Sequence, residues 1–74
     1  MSRLPMLTAK EAVKALERGG FEKMGQKGSH LYLYHAGRDL FTTVPMHAGD
    51  LHRGLMKTII KQAGLTEDEF RDLL

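Results

Sequence analysis

His30-Leu31-Tyr32-Leu33-Tyr34-His35, then Ala36-Gly37-Arg38-Asp39, then Leu40-Phe41-Thr42-Thr43-Val44, is the stretch that decides the fold. Its first six residues alternate leucine with tyrosine or histidine, the period-two pattern of a half-buried strand. The next four are turn formers, and the β-branched run after them pairs back as another strand. Successive side chains leave a strand on opposite faces, so His30, Tyr32 and Tyr34 share one face and Leu31, Leu33 and His35 the other. The leucine face needs an apolar partner, which only helices elsewhere in the chain supply. His30 then stands on the solvent side with two tyrosines as neighbours. Pro45 has no amide donor and marks a strand end or edge.

Working outward, Phe21 to Lys27 reads as the first strand, weakened by Gly25. Gly28-Ser29 joins it to His30, the glycine allowing a tight reversal. Upstream, Thr8-Ala9-Lys10-Glu11 is a capping-box pattern. Ala9, Ala12, Val13 and Leu16 follow at helical spacing, and Gly19-Gly20 stops a helix spanning 9–18. Downstream, His47 to Arg53 reads as a polar connection. Leu55, Met56, Ile59, Ile60 and Ala63 form a wide apolar stripe on a helix over 53–63, which Gly64 ends. Thr66-Glu67-Asp68-Glu69 is a second capping box, opening a short helix with Phe70, Leu73 and Leu74 inward. Met46 and Met56 read as core filler. The predicted class is α+β: an α-β-β-β-α(-α) sandwich, a three-stranded antiparallel sheet with helices on one face.

Seventy-four residues make one domain at most, with a small core. There is no cysteine, hence no disulfide and no thiolate metal site. No apolar run approaches the roughly 20 residues that span a bilayer. Met1-Ser2-Arg3-Leu4-Pro5 lacks the apolar core of a signal peptide. These features predict a soluble, cytoplasmic protein with no membrane partner. The net charge of +2 hides an asymmetry. Residues 1–65 carry ten Lys or Arg against five acids, whereas 66–74 carry Arg71 against Glu67, Asp68, Glu69 and Asp72. A basic body with an acidic tail suits a polyanion such as nucleic acid, although an ordinary solvated surface has the same composition.

Histidine is the side chain that takes and gives protons near neutrality. His30 follows Lys23, Gln26, Lys27 and Ser29 closely, so a proton carrier sits near cations, as cleavage of a phosphodiester requires. Ser29 belongs to the turn and is grouped with the substrate-binding residues. Tyr32 and Tyr34 are placed to stack on unpaired bases, or to cover a face awaiting a protein partner. His47 reads equally as a second proton carrier or RNA contact and as a histidine that fixes its loop. Arg53, Lys57 and Lys61 lie at i, i+4 and i+8, a row that tracks phosphates or simply faces solvent; Lys57 is the substrate-binding candidate. His35 and His52 read as surface residues. A metal site from His47 with His52, or His30 with His35, lacks any supporting carboxylate or thiolate cluster, and no small-molecule cofactor is implied.

Gly20-Phe21, Gln26-Lys27-Gly28-Ser29-His30, Pro45-Met46-His47 and the stretch from Gly49 to Phe70 resemble the HicA family of toxin mRNA interferases. Within the last stretch Gly54, Ile59, Lys61-Gln62-Ala63-Gly64-Leu65 and Phe70 carry the likeness. The resemblance covers about Thr8 to Leu74, so that 1–74 is expected to be one HicA-like toxin domain with a double-stranded-RNA-binding-domain-like fold. It implies a metal-independent endoribonuclease that cleaves mRNA and arrests growth, neutralised by a HicB-like antitoxin. It also implies that the histidine of the Gly-Ser-His run, His30, is catalytic. The competing expectations are a non-catalytic double-stranded-RNA-binding module and a protein whose sheet only docks a partner.

Overall fold

The computed structural model describes residues 4–47 and 49–74. The opening Met1-Ser2-Arg3 and Ala48 lie outside the described residues. In chain order the elements are β1 (Leu7–Thr8), α1 (Ala9–Arg18), β2 (Glu22–Lys27), β3 (His30–His35), β4 (Leu40–Pro45), β5 (Asp50–Leu51), α2 (Arg53–Gln62) and α3 (Glu67–Arg71). The main sheet is antiparallel in the order β2-β3-β4, and β1 pairs antiparallel with β5 in a separate two-stranded ladder. The architecture is therefore α+β, with the expected three-stranded antiparallel sheet. The polar connection expected over His47–Arg53 differs: Asp50 and Leu51 pair with Thr8 and Leu7, and Leu51 is buried. Two-residue strands have no periodicity to reveal them, so only the pairing identifies this element.

Local chemistry explains the helix boundaries. At α1 the Thr8 hydroxyl accepts from the Glu11 amide, and the Glu11 carboxylate accepts from the Thr8 amide at 2.9 Å. Thr66 and Glu69 repeat that box at α3. These hydrogen bonds, chiefly the one from the Thr66 amide, pull the Glu69 carboxyl below its usual range. The acidic end of the chain is thus a folded helix whose Glu67, Asp68 and Glu69 face the positive end of its dipole. Phe70 is buried and Leu73 partly so, but Leu74 is 46% exposed and does not turn inward as expected. It lies past the end of α3 at Arg71, beyond the last helical turn that packs on the core.

His52 opens α2, its Nδ1 accepting from the Leu55 amide at 3.2 Å. This histidine is exposed, as expected of a surface residue, yet it has a capping role that sequence reading missed. His35 departs further from expectation. Its ring is half-buried, meets Phe21 edge-on with centroids 5.3 Å apart, and Nδ1 accepts from the Arg38 amide. Gly20, at φ +100°, makes room: a Cβ there would lie 2.7 Å from His35 Nε2.

The core lies on one side of the sheet. Leu31, Leu33, Thr42 and Val44 are buried there with Ala12, Val13, Leu16, Met56, Ile59 and Ile60 from the two long helices. Thr42 is the buried polar group among them, and its hydroxyl has the Ile59 carbonyl at 3.3 Å and Gln62 Oε1 at 3.1 Å as acceptors. Each residue of β2, in contrast, is exposed. Replacing Leu33 by Ala removes a side chain with no solvent exposure, so urea unfolding should show a loss of about 2–5 kcal/mol. Gly25→Ala meets nothing within 4 Å and should change stability by less than about 0.5 kcal/mol.

Candidate active site and sheet surface

The turn Gly28-Ser29 brings His30 to the end of the sheet. Gly28 has φ +60°, the left-handed conformation that a two-residue hairpin asks of its first central residue in a II′ turn. The Gln26 side-chain amide donates to the Gly28 carbonyl at 3.0 Å, and the Met46 amide donates to the Ser29 carbonyl. The tip is therefore held from both neighbouring strands, and Ser29 takes part through its backbone.

His30 is exposed and stands directly opposite Lys27 on β2 and Pro45 on β4. Directly opposed residues point to the same face with Cβ atoms about 5 Å apart. Lys27, His30 and Pro45 thus form one row across the sheet end. Tyr32 with Gly25 and Thr43 forms the second row, and Tyr34 with Glu22 and Phe41 the third. This is the face turned away from the core. Tyr32 is 39% exposed and Phe41 58% exposed. The Tyr34 and Phe41 rings pack with centroids 4.5 Å apart. Phe41 was missed in sequence, although alternation from Leu40 to Val44 already sets it across from Tyr34.

Lys23 pairs with Leu33, so it lies on the opposite side of the sheet and does not join Lys27 beside His30. The irregularity between Lys23 and Gly25 is what separates the two lysines' faces. Lys57 is exposed on α2, where it lines a groove with Lys61, Leu65 and Glu67, away from the His30 row. Arg53 in the same row donates through Nε to the Leu4 carbonyl at 3.4 Å. His47 is exposed just past β4, lining a hollow with Thr8, Lys10, Met46 and Gly49. Among the described residues no group of three or more His, Asp or Glu is arranged to hold a metal ion. No helix among them is long and apolar enough to cross a membrane.

The element order α1-β2-β3-β4-α2 is that of double-stranded-RNA-binding domains. A sequence model of the family described as HicA toxin of bacterial toxin-antitoxin matches residues 9–65, from the start of α1 to just past α2. The chain belongs to this HicA toxin family, a membership that carries with it a cognate antitoxin. No curated protein matches the chain.

Tyr34 shows how the outer face is fixed electrostatically. Its hydroxyl donates to Asp39 Oδ1 at 2.8 Å. That hydrogen bond, with desolvation and the repulsion of a tyrosinate by the carboxylate adding to it, raises the phenol above its ordinary 10.0. The neutral phenol is the form that binds, so this contribution is fully present below pH 10.0 and is lost as pH rises through the raised value. In a Tyr32→Phe background, Asp39→Asn should bring the remaining tyrosine's ultraviolet titration back toward its ordinary position.

Proposed function

We propose that this chain is an endoribonuclease of the mRNA interferase type, working in the cytoplasm without a metal, with His30 as its catalytic residue. The observation that carries this reading is the exposed His30 directly across from Lys27, at the tip of a hairpin tied to both adjacent strands, in a chain of the HicA toxin family. On this reading residues 1–74 act as one toxin domain.

The chemistry follows from what RNA supplies itself. The ribose 2′-oxygen attacks the adjacent phosphorus, its proton leaves to a base, and charge builds on the phosphoryl oxygens. The bond to the 5′-oxygen then breaks as that oxygen takes up a proton, leaving a 2′,3′-cyclic phosphate and a 5′-hydroxyl. An imidazole serves either proton transfer, and the Lys27 ammonium offsets the developing charge. Tyr32 offers a bare ring to a base, while the Tyr34 phenol is engaged by Asp39 and its ring by Phe41. Ser29 shapes the turn, His47 lies just past β4, and Lys57 gives a more remote phosphate contact, whereas Lys23 stands on the other face of the sheet, outside this row.

The partner proposed is a HicB-like antitoxin that neutralises the toxin by covering this face. Tyr32, Phe41 and the His30 row would then be masked together, which blocks RNA by the same contact that holds the complex. Growth arrest under stress, relieved by the antitoxin, is the expected biological outcome.

His30→Ala should lower cleavage of single-stranded RNA by about 10²–10⁴-fold while leaving RNA binding in place. Parent activity should persist in excess chelator and yield cyclic-phosphate ends. Cleavage by His30→Ala at the parental rate removes the catalytic assignment. A parent protein that binds RNA and never cuts it is instead the non-catalytic module on the same fold.

A further inference from the structure

The helix layer is narrower than the sheet. Leu31 and Leu33 of β3 and Thr42 and Val44 of β4 are buried beneath the helices, but all six residues of β2 are exposed on both faces. An open groove runs between α1 and this overhanging strand. Lys10, Val13, Lys14 and Glu17 form its α1 wall, Lys23 its β2 wall, and Met46 lies at its base. A second hollow continues it past the start of α1, sharing Lys10 and Met46 and reaching His47. Each holds about 360 Å³, within the size range of ligand sites.

Two observations give this groove a direction. Met46 is hydrogen-bonded through its amide to the Ser29 carbonyl, so the groove's base adjoins the turn that presents His30. Its charged lining is three lysines against one carboxylate, Glu17, and none of the three makes an ion pair among the described residues. Lys10 and Lys14 are one helical turn apart on α1 and therefore point the same way. Unpaired ammonium groups lining an open, partly apolar channel suit a flexible polyanion. An acidic protein segment has the same sign of charge, but the channel's continuation to the catalytic hairpin favours the substrate.

We infer that the groove between α1 and β2 is the track for the sugar–phosphate backbone of single-stranded RNA, with Lys10, Lys14 and Lys23 as its phosphate contacts, feeding the strand around Met46 to His30. This rests on the nuclease reading and extends it to the helix side of the sheet. It also gives Lys23 a role consistent with its face.

The test is fluorescence anisotropy of a mixed-sequence RNA 12-mer across a salt series, using the full chain with His30→Ala so that no probe is cut. Lys10→Gln with Lys14→Gln should reduce the slope of log affinity against log salt by about 1.4, some 0.7 per phosphate contact on a single strand. Affinity at low salt should drop by at least about tenfold. Arg38→Gln with Arg71→Gln removes the same charge outside the groove and should move the slope much less. Circular dichroism verifies that both variants fold. An unchanged slope in the groove variant overturns the track, as does an equal loss in the control, which marks diffuse attraction instead. Loss of antitoxin binding with RNA binding intact assigns the groove to a protein and equally overturns it. Absence of cleavage by the parent, with the groove result as expected, defeats the nuclease reading and leaves the RNA track standing.

Discussion

The one-sided burial of β3 is the constraint on which the molecule depends. Leu31 and Leu33 are sealed against the helices while His30 and Tyr32 remain in solvent, and both outcomes follow from a single register. A slip of one residue would drive histidine and tyrosine into the core and leave the leucines bare. Turns at both ends of the strand hold that register. Gly28 is left-handed at one end; at the other Asp39 takes φ 52°, which aspartate tolerates better than most residues. Asp39 then uses its carboxylate to hold Tyr34, so the residue that closes the hairpin also fixes part of the outer surface.

The apolar packing is thereby confined to one face of β3 and β4. The core face of β3 and β4 supplies a shared apolar layer for α1 and α2, with Thr42 anchoring α2 through the Ile59 carbonyl. The outer face is left with aromatic rings and, at its end, the Lys27–His30–Pro45 row. The helices need not contribute to that row for the fold to be stable. This separation lets the residues of that row vary without disturbing those that bury area.

Much of this was legible in the sequence because it rests on local rules. The helix over 9–18 is found as read, and both Thr-x-x-Glu boxes close as their spacing requires. The strand alternation correctly placed His30 and the leucines. What escaped reading depends on contacts distant in sequence. The β1–β5 ladder joins Leu7 and Leu51, which no local pattern links. His35 looked like a surface residue because the edge-on contact with Phe21 and the space above Gly20 exist only after the chain reverses. Proximity along the chain groups Lys23 with Lys27, but the irregular pairing between Lys23 and Gly25 sends them to opposite faces. Nothing local in the sequence marks Lys10 and Lys14, since the gap beside them is created by the width of the sheet.

The bare rim of β2 has a consequence for self-association. An unpaired strand edge offers amide and carbonyl groups that a second copy can join, the usual beginning of polymeric sheets. Here the rim carries Lys23 and Lys27, and its hydrogen-bonding row is broken at Met24, where the register shifts. Ammonium repulsion and an interrupted ladder both discourage copies from zipping together. The strand can thus stay open to a guest of opposite charge while resisting its own kind.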